Sequence, residues 1–254
     1  MHKNIGRFHE DEFVNAINGK KAGDLSHNLK HTLKEIFGIF DPNEILKCEL
    51  VDHYQKPDFF IEYKGIRKYI SLKSGRADEI AQENLKSFIL YLRKCGLSIR
   101  SQNTILLYHF GDGTNDGSGK NRMDYNELRL LLKDRIKELN EELNSSPEFV
   151  MKFIERHLFK GTVETNIEAD YIYYGTIEYG IICSKTQIMK HIKRRADTRN
   201  WDYMDNPHIG PIQFRPHARY INKKIVSEER RWKVTIWWAN LQADLAYISE
   251  RYDG

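Results

Sequence analysis

The chain has 254 residues, of which 40% are hydrophobic, a share large enough to form a sizeable core and to exclude the class of disordered proteins. The net charge of +4 is modest, and there is neither an apolar run of about 18 residues nor a basic-then-apolar leader, so we expect no membrane span, no secretory signal and a cytoplasmic location. Three widely spaced cysteines without a CxxC pair argue against a disulfide framework and against a zinc knuckle.

Hydrophobic spacing predicts two helices near the start of the chain, over residues 10–17 and 25–37. Asp24 is placed to cap the second helix at its N-terminus, and Gly38 is expected to end it. Residues 45–54 follow as a candidate first strand.

A β-hairpin is predicted over residues 59–72. Two runs of alternating aromatic or branched residues, 59–63 and 66–72, flank Lys64-Gly65, and Gly tolerates the positive φ that a tight two-residue turn requires. Side chains alternate with period two, so one face of the hairpin carries an apolar set that must be buried. That set is Phe59, Ile61, Tyr63, Ile66, Ile70 and Leu72.

The other face of the hairpin is polar. Counting outward from a two-residue turn places Asp58 opposite Ser71, with Lys73 diagonal to Asp58 on the same face. The same register sets Glu62 opposite Arg67, which we interpret as a cross-strand ion pair. The hairpin is therefore expected to bring a carboxylate and a lysine together at one end.

Pro57-Asp58 and Lys73 resemble the core motif of the PD-(D/E)XK nuclease superfamily, which includes many restriction endonucleases. In that superfamily a Pro-Asp begins one strand, and an acid-x-Lys on the antiparallel partner helps it to hold a divalent metal against the scissile phosphate. Ser71 stands where the family has its acid. The resemblance covers roughly residues 10 to 110.

Some members of the superfamily have Ser-x-Lys and take the second carboxylate from the helix that follows. Here a helix predicted over 77–95 offers Glu83 as the candidate, with Glu79 as a second choice. Glu83 falls on the far side of the apolar stripe of that helix, so an exposed, solubilising Glu is the alternative. The first helices of the family sometimes contribute a further acid, and the sequence leaves Glu10, Glu12 and Glu35 open.

The resemblance implies that Asp58 and Glu83 bind Mg²⁺, with Mn²⁺ as a substitute, and that Lys73 orients the attacking water and offsets charge on the phosphate. Ser71 is too weak a ligand to replace a carboxylate. The alternative reading is structural, because Asp after Pro is a common turn residue and a Lys at a strand end is usually solvated.

The middle of the chain predicts a buried strand and two helices. Residues 104–110 form a continuous apolar run, which is typical of a central strand. The loop GDGTNDGSG has ligand-like spacing for calcium, but its twelfth position is Met123, so we predict a Gly-rich turn. Helices are predicted over 123–143 and 147–159.

The last part predicts paired strands over 169–174 and 176–183, a helix that begins at 184 or 185, a hairpin of strands 212–220 and 231–238, and a final helix over 241–248. Residues 185–233 carry 13 Lys or Arg and 5 Asp or Glu, a net charge of +8, whereas the remainder carries −4. This distribution favours a polyanionic partner. The candidate DNA-binding residues are Lys190, Lys193, Arg194, Arg195, Arg199, Gln213, Arg215 and Arg219.

The sequence thus predicts an α/β protein with a mixed central β-sheet flanked by helices, divided into a nuclease-like core (1–145) and a basic, aromatic α+β region (146–254). The expected function is that of a Mg²⁺-dependent endonuclease resembling a type II restriction enzyme. It would act on double-stranded DNA as a homodimer. The alternatives left open are a repair or structure-selective nuclease, a non-catalytic DNA-binding module on the same fold, and a factor that acts on RNA.

Overall fold

The structure is a computed structural model that describes residues 5–52, 54–74, 79–119, 121–162, 167–198, 201, 205–217 and 228–252. The chain forms two compact units. The first contains Met1–Asp78, Glu155–His191 and Asn240–Gly254, and the second contains Glu79–Ile154 and Ile192–Ala239. The sequence-based division cuts the chain once, at residue 145, whereas each of these units combines segments that are distant in sequence.

The helices are α1 (Ile5–Ile17), α2 (His27–Phe37), α3 (Leu85–Lys94), α4 (Ile99–Phe110), α5 (Tyr125–Leu131), α6 (Lys133–Leu143), α7 (Pro147–Ile154), α8 (Lys185–Asp197), α9 (Glu228–Arg231) and α10 (Leu241–Arg251). The strands are β1 (Lys47–Leu50), β2 (Phe59–Tyr63), β3 (Ile66–Lys73), β4 (Glu79–Asn84), β5 (Tyr171–Gly175), β6 (Gly180–Ser184), β7 (His208–Ile209), β8 (Ile212–Pro216) and β9 (Lys233–Trp238). The predicted α/β class is confirmed. In the part of the chain that the structure describes, none of the helices is both long and apolar enough to cross a membrane.

The first unit is built on a mixed sheet with the strand order β1-β2-β3-β5-β6. The first three strands form an antiparallel meander, β5 runs parallel to β3, and β6 returns antiparallel to β5. Helix α1 packs on the sheet through Phe13, whose ring stacks on Phe59 at 5.4 Å and meets the edge of Tyr173 at 4.7 Å. This packing fixes which side of α1 faces the sheet.

The β2–β3 hairpin has the predicted register, because Tyr63 lies opposite Ile66. Lys64 and Gly65 have φ angles of 50° and 78°, which the two-residue turn requires. The apolar face is buried in the core, with one correction: Ile66, beside the turn, is 56% exposed. The predicted ion pair is also present, since Arg67 Nη2 lies 2.8 Å from Glu62 Oε2.

The first two predicted helices are confirmed, but the cap of the second is not Asp24. Helix α2 begins at His27, and the Ser26 hydroxyl accepts a hydrogen bond from the Leu29 N–H at 3.3 Å. Asp24 lies in a short 3₁₀ turn before it. Gly38 ends the helix with a φ of 74°.

The second unit contains an antiparallel sheet with the order β4-β9-β8-β7. The predicted hairpin appears as β8 and β9, with Gln213 opposite Trp237 and Arg215 opposite Thr235. Residues 218–220 of the predicted strand lie outside the described residues. Phe214 packs its ring 5.2 Å from Phe88 of α3 and so joins the sheet to the helices of this unit.

The helix predicted over 77–95 is wrong in its first part. Residues 79–84 form strand β4, which pairs with β9, and α3 begins only at Leu85. The Asn84 side chain caps α3 by accepting a hydrogen bond from the Lys86 N–H at 2.9 Å. Pairing with a strand some 150 residues away overrides the local helical spacing. Residues 75–78 are not described.

The strand predicted over 104–110 is also wrong, because this run lies within helix α4. Ser98 caps the helix and Gly111 ends it with a left-handed φ of 64°. The Arg122 guanidinium donates to the Phe110 carbonyl at 2.8 Å, at the C-terminal end of α4. A short apolar run is compatible with a buried helix and with a buried strand. Here the capping residues Ser98 and Gly111 mark the two ends of a helix.

Most of the remaining elements are confirmed with shifted bounds. The long helix predicted over 123–143 divides at Leu132 into α5 and α6, and the helix over 147–159 continues beyond α7 as a π-helix, Glu155–Lys160. The GDGTNDGSG loop is a turn as predicted. Its Asp112 carboxylate accepts the Thr114 and Gly119 N–H groups at 3.0 and 3.1 Å.

Candidate active site

Asp58 lies immediately before β2, and its carboxylate is fixed by the neighbouring strand. Its Oδ2 atom accepts a hydrogen bond of 2.5 Å from the Leu72 backbone N–H and one of 3.1 Å from the Ser71 hydroxyl. Its own N–H donates to the Ile70 carbonyl at 2.9 Å, which continues the ladder of the hairpin. The Asp58 side chain is therefore held in one orientation at the end of the sheet.

Lys73 reaches the same place from β3. Its Nζ donates to the Ser71 hydroxyl at 3.1 Å and to the Leu72 carbonyl at 3.1 Å. Ser71 is fully buried, and its single hydroxyl accepts from Lys73 while donating to Asp58. The three residues that the sequence placed on one hairpin face thus form a continuous hydrogen-bonded row.

Glu10 of α1 is the acid that the structure brings to this row. It lies one turn before Phe13, so the contact of Phe13 with Phe59 carries it toward Asp58, the residue before Phe59. Burial raises the pKa of Glu10, the negative charge of Asp58 raises it further, and the charge of Lys73 opposes these effects. Glu10 and Asp58 are therefore close enough for their charges to interact.

The other two acids that the sequence left open have local partners. Glu12 lies 2.9 Å from the His9 ring, and Glu35 lies 3.7 Å from that of His31. The choice of Glu10 depends on how α1 docks on the sheet. The sequence contains no local signal that distinguishes Glu10 from Glu12 and Glu35.

Lys56 is a fifth member of the site, and it was not among the residues predicted from the sequence. It is half-buried, and burial lowers the pKa of its ammonium to about 7; the Lys73 charge adds to this effect, and the Asp58 charge opposes it. Gly161 packs close to its Cβ atom, leaving 3.3 Å to the position that a Gly161 Cβ would take. In the sequence, the one indication that Lys56 belongs to this site is its position two residues before Asp58.

Glu83 lies on strand β4 in the second unit, not on a helix as predicted. It is opposite Val234 and is 6% exposed, so the exposed, solubilising alternative is wrong as well. Glu79, the second choice, accepts a hydrogen bond from the Gln82 side chain at 2.6 Å. Asp58, Ser71 and Lys73 belong to the first unit, and a metal-binding role for Glu83 stays a prediction.

The site has the donor chemistry that Mg²⁺ requires. Among the described residues, no group of three or more His, Cys, Asp or Glu side chains forms a ready-made metal cluster. Mg²⁺ is commonly bound by one or two carboxylates, with waters and substrate phosphate as the other ligands. Asp58 and Glu10 fit this pattern: burial and then the charge of Asp58 raise the pKa of Glu10, and a bound cation would offset both effects.

The predicted DNA-binding residues lie on two elements, except that Arg199 and Arg219 are outside the described residues. On α8, Lys190 and Arg194 are exposed, Lys193 pairs with Asp197 at 2.6 Å, and the Arg195 guanidinium lies 4.9 Å from the centre of a Trp201 ring. On β8, Gln213 and Arg215 point to the partly exposed face, with Arg215 over the Trp237 ring at 4.5 Å.

No protein-family model matches the chain, and no curated protein matches it.

Proposed function

We propose that the chain is a metal-dependent endodeoxyribonuclease of the PD-(D/E)XK type, resembling a type II restriction enzyme. The observation that carries this proposal is the hydrogen-bonded row of Asp58, Ser71 and Lys73, with Glu10 coupled electrostatically to both of its charged members. Two acids can hold a divalent metal, and an ammonium group can offset charge on the phosphate, and metal-assisted hydrolysis of a phosphodiester uses both functions.

Each residue has a distinct task in this proposal. Asp58 and Glu10 would hold Mg²⁺, which would supply a Lewis acid for the phosphate and for a water ligand. Lys73 orients the attacking water and offsets negative charge that develops on the phosphate. Ser71 positions both Asp58 and Lys73 through its hydroxyl.

The surrounding fold supports the same assignment. The first unit is a mixed sheet in which the Pro57-Asp58 strand and the Lys73 strand are antiparallel neighbours, as the superfamily arranges them. The first helix packs on this sheet and supplies an acid, which the resemblance allows. The proposed partner is double-stranded DNA, and the exposed cations of α8 would bind its phosphates. A homodimer would present two sites to the two strands.

The test is cleavage of supercoiled plasmid and of linear mixed-sequence DNA, with Mg²⁺ and with EDTA. Wild type should cut only with metal, and Lys73→Ala should reduce the rate by on the order of 100-fold or more. Lys47→Ala is the matched control, because Lys47 is an exposed lysine of the same sheet that pairs with Glu49 at 3.3 Å. Equal rates for wild type and Lys73→Ala would refute the catalytic assignment.

Ser71 at the position of the family's acid favours one alternative, a DNA-binding module that has lost catalysis. Calorimetry with Mg²⁺ and with Mn²⁺ separates the two functions, since the non-catalytic module has no need to bind metal. Among nucleases, fragments of discrete size would identify a restriction enzyme, and cleavage confined to damaged or branched DNA would identify a repair enzyme.

A further inference from the structure

A cavity of about 310 Å³ lies in the second unit, beside helices α5 and α6. Three cationic side chains line it: Arg129, Lys133 and Lys137. They are spaced four residues apart and therefore follow one side of the helical segment. Asp205 is the acidic side chain among the described lining residues, so the lining has a net positive charge.

Arg129, one of the lining residues, is held in place by an ion pair and keeps one donor atom without an acceptor in the described part of the chain. Its Nη2 atom is held by Asp205 Oδ2 at 2.6 Å, which fixes the plane of the guanidinium. Its Nε atom is buried and has no hydrogen-bond acceptor among the described residues. A buried donor without an acceptor is costly, and such donors are rare in folded proteins.

Lys133 and Lys137 extend this positive wall. Both are exposed, and neither makes an ion pair with any residue in the part of the chain that the structure describes. Asn140 at the end of the row is already satisfied, because its amide donates to the Asn206 carbonyl at 3.0 Å and accepts from the His208 N–H at 3.0 Å. The ammonium groups of Lys133 and Lys137 therefore remain available to a ligand.

Two apolar side chains also line the cavity. Ile136 is buried at 3% exposure, whereas Leu130, on the preceding helix, keeps 74% of its surface exposed. The cavity volume is at the lower end of the range for small-molecule sites, about 300–1,000 Å³. A ligand that fills it would have a charged group near the three cations and a less polar part over these two side chains.

We infer that this cavity binds a phosphate group carried by a nucleotide. Arg and Lys together recognise phosphate, through the planar fork of a guanidinium and the point charges of the ammonium groups. The nucleotide is either free or part of a DNA strand. Binding of a DNA strand rests on the proposed nuclease function, whereas binding of a free nucleotide does not.

The experiment compares Lys133→Ala/Lys137→Ala with Arg135→Ala in EDTA, where no cleavage occurs. Arg135 is exposed on the same helix and is not part of the cavity wall, so this control also removes a positive charge. Binding of dAMP and of inorganic phosphate is measured by calorimetry, and binding of a DNA duplex by fluorescence anisotropy at several salt concentrations. Thermal melting checks that each variant is folded.

Tenfold weaker dAMP binding by the double variant, with Arg135→Ala close to wild type, supports a site for the free nucleotide. The slope of the logarithm of the duplex binding constant against the logarithm of the salt concentration is the second readout. A decrease of about one in its magnitude, confined to the double variant, supports a site for a backbone phosphate. The inference is overturned if wild type fails to bind dAMP and the double variant binds duplex as Arg135→Ala does. Since no readout depends on cleavage, an inactive nuclease site would leave each of these results unchanged.

Discussion

The Ser71 hydroxyl donates a 3.1 Å hydrogen bond to the carboxylate of Asp58, across the hairpin whose turn lies at Lys64 and Gly65. In the proposed superfamily motif Ser71 stands at the position of an acid, and it contacts both Asp58 and Lys73. Its role in the proposed reaction is therefore to position Asp58 and Lys73, not to bind the metal.

Substitution at position 71 should thus cost less than substitution at position 58. In Ser71→Ala, Asp58 keeps its hydrogen bond from the Leu72 N–H and Lys73 keeps the one to the Leu72 carbonyl. The loss of two hydrogen bonds, about 1 kcal/mol each, should lower the cleavage rate by up to about 30-fold. Asp58→Asn should lower it by on the order of 100-fold or more. Single-turnover cleavage kinetics measure both, and equal losses would contradict a positioning role for Ser71.

Glu10→Gln should abolish metal-dependent cleavage and weaken Mg²⁺ binding, because Glu10 is the acid that shares the site with Asp58. Glu12→Gln, on the same helix, is the matched control and should behave as wild type, since Glu12 pairs with His9. Metal binding is measured by calorimetry. If Glu83→Gln loses metal binding and Glu10→Gln keeps it, the sequence-based choice of Glu83 is the correct one.

The stability of metal-free Glu10→Gln gives an independent check of the same site. The raised pKa of Glu10 means that the folded chain disfavours its ionised form, so wild type loses stability as pH rises above the ordinary value of 4.5. The glutamine variant lacks this loss. We expect it to be at least as stable as wild type at pH 7 in urea denaturation, although it is inactive; a large destabilisation would indicate a structural role.

Exposed cations of α8 should contribute to DNA binding whatever the base sequence of the duplex. Arg194→Ala should weaken binding to unrelated duplexes by similar factors and reduce the salt dependence of the binding constant by about 0.9 for each lost phosphate contact. Lys94→Ala, an exposed lysine at the end of α3, is the control. Anisotropy titrations at several salt concentrations measure the slope, and an unchanged slope for Arg194→Ala would remove α8 from the interface.

His109 should make the protein sensitive to acid. Its Nε2–H donates to the Arg231 carbonyl at 2.8 Å, and burial lowers its pKa to about 4, with the charges of Arg122 and Arg231 acting in the same direction. The ordinary value is 6.5, so the unfolded chain binds the proton first. The contribution of neutral His109 to the free energy of unfolding is fully present above pH 6.5. It falls by up to about 3 kcal/mol as the pH drops toward 4. Urea denaturation should show a smaller loss for His109→Gln than for wild type between pH 7 and pH 4.5.

Gly180→Ala should destabilise the first unit. A Cβ atom at this position would lie 1.9 Å from the Tyr173 hydroxyl, which is buried and donates to the Thr176 carbonyl at 2.7 Å. Overpacking of this kind costs about 1–3 kcal/mol. Thermal melting measures the effect, and Tyr179→Ala is the control because Tyr179 is 83% exposed. Equal melting temperatures for Gly180→Ala and wild type would show that Tyr173 moves aside without cost.

Local patterns in the sequence were sufficient wherever one element determined the outcome. The hairpin register followed from the Lys64-Gly65 turn. The sequence also predicted correctly that β5 and β6 are strands and that α8 and α10 are helices. Local patterns failed at residues 79–84 and 104–110. In the first case pairing with the distant strand β9 overrode the local helical spacing, and in the second the apolar run was equally suited to a buried helix.

The sequence by itself determined the positions of Asp58, Ser71 and Lys73 relative to one another, because a two-residue turn and the period-two alternation of strands leave one register. It also determined where positive charge is concentrated. Only the tertiary structure decided that Glu10 is the acid beside Asp58 and that Lys56 loses its usual pKa in the same site. Both depend on how α1 and the segment around Gly161 pack on the sheet, and packing between elements far apart in the chain leaves no periodic signal in the residues themselves.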